Sequence, residues 1–255
     1  RTRFIFRCSH RRIKKILMNT TYHPEGNRDF RRWLESGVPT TGIMGGSALA
    51  MYGASHIGGS NKALATALMN ESIGKDPRLK ITNFSFRNLG VNMPKWTDVF
   101  NAHYDPRTHT VNAPRSNYGI LAHELGHAEQ YKNPLYRKTI APLSTIGRAV
   151  GKYGVLAPIL TDNEQEARRN AKIAGVMQIP TLVEEIDASR RGSRILSKHT
   201  AKKPAIIGSK SGGALARAMM KIRPFAGIPS YLLAATAPYL IYKYMKGRGL
   251  YEGEY

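Results

Sequence analysis

One cysteine, Cys8, stands among 255 residues. A disulfide framework and a cysteine-built zinc site are therefore excluded within one chain. Acidic residues are scarce: 17 Asp and Glu face 39 Lys and Arg, a formal charge of +22. After Asp187 the next acid is Glu252, with thirteen basic residues between them. Residues 36–61 hold no charged side chain and seven glycines. Apolar residues at 42% and charged residues at 22% exclude a wholly disordered chain.

The charge admits two partners, nucleic-acid phosphates and an anionic membrane surface. Its distribution favours the membrane. Phe225–Tyr242 is an 18-residue run without a charge. Lys221 and Arg223 precede it, and Lys243, Lys246 and Arg248 follow. Basic flanks and three tyrosines suit an anchor at a membrane interface. The run is expected to form a membrane-inserted helix or hairpin, with a buried core helix as the alternative, and the chain to be membrane-associated. Nucleic acid is disfavoured, because the basic residues are not interleaved with aromatics as a stacking groove requires.

Residues 1–35 open with seven basic residues in the first 17 and read as a basic arm or targeting segment. Residues 36–196 read as the main domain. Residues 197–255 read as a linker rich in Lys, Gly and Ser, followed by the apolar segment. Within the main domain, Lys62–Ile73 has a helical pattern that stops at Gly74. Leu79–Phe86 alternates with the period of a strand, and Thr108–Asn112 reads as a second strand closed by Pro114. Residues 117–132 and 162–175 read as helices, as does the stretch VEEIDASRRGSRIL (183–196) after Pro180.

The chemistry lies in His123-Glu124-Leu125-Gly126-His127. Residues four apart share a helix face, so two imidazoles can point at one metal. Glu124, beside the open coordination position, can then take a proton from water. Zinc suits two nitrogen ligands and accepts a carboxylate as a third. Gly126 leaves room for another element to pack closely. The next histidine is His199, so a carboxylate is the expected third ligand. Spacing leaves Glu184 and Glu185 open, and also Glu164 and Glu166. A donor for a developing oxyanion could come from His103, His109, Tyr118 or His199.

Three segments in order, HYDPRTHTV (103–111), AHELGHAEQ (122–130) and TLVEEIDASRR (181–191), resemble the putative neutral zinc metallopeptidases of the YugP type, a family of bacterial membrane proteins. The resemblance covers roughly residues 85–196. Ile186 stands where that family has Phe, and Gly192 where Ala is usual. The resemblance implies an α+β, mainly α-helical fold with a zincin-like metallopeptidase core, a small sheet and an HExxH helix. It implies Zn²⁺ on His123, His127 and Glu185, with Glu124 as catalytic base. It implies a zinc metalloendopeptidase acting on protein or peptide substrates. The strand at Thr108, His109, Thr110 and Val111 would be an active-site edge strand holding an extended peptide. The alternative is a catalytically silent structural or binding protein that keeps the fold.

Overall fold

The computed structural model describes residues 61–83, 102–114, 117–154, 158, 161, 163–202, 221–247, 249 and 251. Helix α1 (Lys62–Lys75) starts at Asn61, whose side chain accepts the Leu64 N–H at 3.0 Å. That cap satisfies one of the donors a helix start leaves unpaired. Leu64 and Leu68, one turn apart, are buried. The helix passes Gly74 and ends at Lys75.

A three-stranded sheet follows, from β1 (Lys80–Asn83), β2 (His103–Asp105) and β3 (Thr110–Ala113). The strand expected over 79–86 is described only through β1; its last three residues lie outside the described set. The order is β1-β3-β2, with β1 parallel and β2 antiparallel to β3. This corrects one expectation. The strand near Thr108–Asn112 begins at Thr110 and lies in the middle of the sheet, so both of its backbone edges are already paired. It has no edge for a peptide. Thr108 and His109 belong to the turn before it, where His109 takes a left-handed φ of 53°.

Helix α2 (Tyr118–Tyr131) carries the HExxH motif and is capped by Asn117. Its Leu121, Leu125 and Ala128 join Leu64, Leu68, Leu79, Val111 and Leu196 in one core. Each such leucine contributes about 1.5–3 kcal/mol by leaving water. The short α3 (Pro134–Lys138) and then α4 (Ile140–Gly154) lead away. Helix α5 (Glu164–Met177) precedes α6 (Ile179–Lys202). Pro180 sits in the first turn of α6, where a missing N–H costs nothing, so it starts this helix. The helix runs through residue 196 without a break. The boundary expected there falls inside it, and residues 197–202 are helical.

A 3₁₀ turn (Arg223–Phe225) leads into α7 (Ile228–Gly247). This is the apolar run expected in a membrane. Among the described residues, no helix is long and apolar enough to cross one. Instead, Ile241, Tyr242 and Met245 of α7 pack with Ala167 and Ala171 of α5 and with Tyr251. Tyr242 Oη donates to Glu164 Oε1 at 3.1 Å, and Lys246 pairs with the same oxygen. The C-terminal segment is thereby part of the helical body. One compact unit spans residues 43–255; the other, 1–42, which contains the expected N-terminal arm, lies outside the described residues.

Candidate metal centre

Helices α2 and α6 cross with their backbones in contact. A Cβ at Gly126 would run into the carbonyl oxygen of Ala188, and one at Gly192 into that of Ala122. Glycine is required at both positions because the space a side chain needs is filled by main chain. Ala188 and Gly192, four residues apart on α6, form the facing stripe. This crossing puts Glu185, one turn before the stripe, opposite the two histidines.

The three side chains converge. His123 Nε2 lies 3.0 Å and His127 Nε2 3.4 Å from one oxygen, Glu185 Oε2. The imidazoles stand nearly perpendicular, 88°, with centroids 4.8 Å apart. Ligands about 2.0–2.1 Å from a tetrahedral zinc are separated by about 3.3 Å, close to both distances. His123, His127 and Glu185 form a group able to hold a metal ion.

The outer nitrogens are fixed as well. Ser189 Oγ donates its single hydrogen to the Pro224 carbonyl at 2.9 Å. Its contact with His123 Nδ1, also 2.9 Å, must then be an accepted bond. Gln130 Nε2 donates to the Glu184 carbonyl at 2.8 Å and to Asp187 Oδ2 at 3.0 Å. That orients the amide so that its Oε1 accepts from His127 Nδ1 at 2.9 Å. Both Nδ1 atoms carry the proton, and both Nε2 lone pairs are left for a metal. Replacing Ser189 with alanine is therefore expected to weaken zinc binding by about 10–100-fold, read by competition with a chelating dye.

Glu124 is 5% exposed, with the Tyr104 backbone on β2 close enough to favour its charged form slightly. Burial pushes its carboxyl up to about 7, against the pull of His123 and with the push of Glu185. Glu185 moves the other way. Burial opposes its ionisation, but the closeness of the two imidazoles holds its carboxyl far below the usual range. Arg148 of α4 adds a positive charge, with Nη2 3.2 Å from Glu185 Oε1. The same nitrogen is 2.8 Å from Glu184 Oε2, a charge contact off the hydrogen-bond axis. Burial, and then the charges of Glu185 and Glu124, raise the pKa of the Tyr231 phenol, in the first turn of α7, well above its usual value.

The other candidate residues lie elsewhere. Glu184 is buried behind His127, its Oε1 3.7 Å from Nδ1, on the side away from the shared oxygen. Glu164 is engaged by α7, and Glu166 is exposed and accepts from Thr161. Val111 is fully buried in the core. Thr108 bonds Asp105 and Thr110, while His109 bonds Tyr104 and Asp76. His103 lies beside Asn112, and His199 pairs with Glu71. Tyr118 is buried beneath the Arg223 guanidinium. Sequence reasoning gave no role at the site to Gln130, Ser189 or Arg148. A glutamine three residues after His127 and a serine four after Glu185 share faces with those ligands, and that spacing was the available signal.

Residues 85–219, more than half of the chain, match a family model described as putative neutral zinc metallopeptidase. The match includes all three donors, Glu124 and Arg148. No curated protein and no solved structure matches the chain.

Proposed function

Because the chain belongs to the putative neutral zinc metallopeptidase family, we propose that it is a zinc-dependent endopeptidase acting on protein or peptide substrates. The convergence of His123, His127 and Glu185, with both imidazoles presenting Nε2, carries this reading. Zinc held there supplies Lewis acidity, which polarises a carbonyl and makes water a nucleophile near neutral pH.

The residues of the chain do the rest. Glu124 takes the proton of the attacking water and returns it to the leaving amine. Ser189 and Gln130 hold the imidazole planes, and Arg148 sets a positive charge beside the buried Glu185. An extended substrate meets the sheet at β2, since β3 is paired on both sides and β2 is the strand that reaches Glu124. Main-chain pairing along such a strand holds a peptide with little regard to its side chains.

The test is elemental mass spectrometry of the purified chain, together with cleavage of an unfolded protein. About one zinc per chain is expected from a three-residue site of this class. Chelation should stop cleavage, and added zinc should restore it. Glu185→Ala should lose the metal and the activity together. A chain that holds no zinc, or that cleaves equally well after chelation, would overturn the proposal.

A further inference from the structure

A peptide held by main-chain pairing needs a strand already in place when it arrives, because ordering that strand on contact would oppose binding. β2 is poorly held by its own ladder. It has three residues, and among the described residues only β3 pairs with it. Its other support lies beyond the turn. His109 is the one non-glycine residue with a positive φ, 53°, among the described residues. That backbone region is uncommon for a residue with a side chain, and it persists where the surroundings require it. Here the side chain supplies the requirement. The imidazole stands edge-on to the Tyr104 ring, centroids 5.7 Å apart, and both of its nitrogens are engaged.

Nε2 of His109 is 3.1 Å from Asp76 Oδ2, and Nδ1 is 2.7 Å from Tyr104 Oη. Asp76 also accepts the Arg78 N–H at 3.3 Å and has Lys132 Nζ at 3.5 Å. An ionised carboxylate only accepts, so Nε2 carries the proton toward it. In the neutral ring Nδ1 then accepts from the Tyr104 hydroxyl. The chain Tyr104–His109–Asp76 joins separate elements. Asp76 closes α1, with its N–H bonded to the Ser72 carbonyl. Lys132, which reaches the same carboxylate, closes α2. Tyr104 packs on the core that α2 shares, its ring 5.4 Å from Tyr131, one turn after His127. None of the three is in the group able to hold a metal.

We propose that His109 is a positioning residue: bonded to Tyr104 and Asp76, it fixes β2 against the HExxH helix as a preformed template for an extended peptide. This rests on the peptidase reading. His109 touches neither the metal donors nor the reacting atoms. It governs how readily a peptide is held, and leaves the bond-breaking step to the residues already described.

The experiment compares His109→Gly, Tyr104→Phe and the double variant with wild type, as full zinc-loaded chains cleaving an unfolded protein. Glycine takes a left-handed φ without strain, so a residue that served only the turn would be replaced without loss. Phenylalanine removes only the hydroxyl that meets His109, and thermal unfolding checks that each fold is kept. Each single change is expected to raise KM about tenfold, the scale of one hydrogen bond, with kcat and zinc content little changed. The double variant should be no worse than His109→Gly, because both changes break the same bond. Hydrogen exchange of the β2 amides, read without substrate, should quicken in all three. An unchanged KM in His109→Gly would make the residue a turn former and overturn the proposal. A fall in kcat at constant KM, or losses that add in the double variant, would overturn it as well. A zinc-loaded wild type that cleaves no unfolded protein would overturn the peptidase reading itself, a result distinct from the others.

Discussion

Replacing Glu124 with glutamine is expected to lower kcat roughly a thousandfold while leaving zinc content unchanged. General acid–base catalysis contributes about 10²–10⁴ in rate, and the proposed mechanism gives Glu124 that role in both proton transfers. Glutamine has nearly the same shape and can occupy the same buried place. It cannot take a proton. The group able to hold the ion is His123, His127 and Glu185, so the substitution removes no ligand. Burial of Glu124, at 5% exposure, also means that no solvent carboxylate can stand in for it. Cleavage rates and elemental analysis on one preparation decide the matter. Undiminished turnover would remove Glu124 from the mechanism, and loss of zinc would make it a structural residue.

Gly126→Ala is expected to cost about 3 kcal/mol, the upper end for an overfilled core. In a domain of this size that lowers Tm by roughly 10 °C. The added methyl would meet the Ala188 carbonyl and come within 3.0 Å of the Gly192 nitrogen. Those atoms are main chain and cannot swing aside, so α2 and α6 must separate. Because His123 and His127 ride on one helix and Glu185 on the other, the same movement should lower zinc affinity. Gly192→Ala should behave alike, since its methyl would collide with Ala122 and approach His123 N at 2.9 Å. The control is Gly74→Ala, where nothing lies within 4 Å and the helix gains from the better helix former. Thermal unfolding of all three variants, with and without zinc, checks the prediction. An unchanged Tm for Gly126→Ala would show that the two helices do not touch there.

What could be read from the sequence was local. The pairing of His123 with His127 needs only a helix, and the helix signals around residues 117–132 were strong. Glu185 could not be separated from Glu184 by spacing. The two are adjacent and equally buried at 2%, and only the crossing angle of α2 and α6 decides which one faces the histidines. The resemblance pointed to Glu185, the one the structure groups with both histidines, without giving that reason. It also left Ser189 and the glycine at 192 without a role, although the contacts of both lie on the helix that carries the ligand.

Strand order was illegible for a different cause. β2 has three residues, too few to show a period of two, and it alone turns β3 from an edge into an interior strand. The apolar run of α7 was legible as a helix, but a charge-free stretch looks the same whether lipid or α5 covers it. Arg148 was illegible too: a lone cation in an apolar segment does not say which anion it will meet, and in the structure it meets Glu184 and Glu185.

His123 and Glu185 stand 62 positions apart, and α3, α4 and α5 make one excursion that leaves the helix crossing and returns to it. Closing a longer loop costs little, about 0.6 kcal/mol for each doubling of its length. Relatives of this chain can therefore lengthen or shorten that excursion freely, provided an arginine still reaches the two glutamates. The crossing has no such latitude, because one methyl group is already too much. Diversity of length should collect between the two ligand helices, and invariance of size at their point of contact.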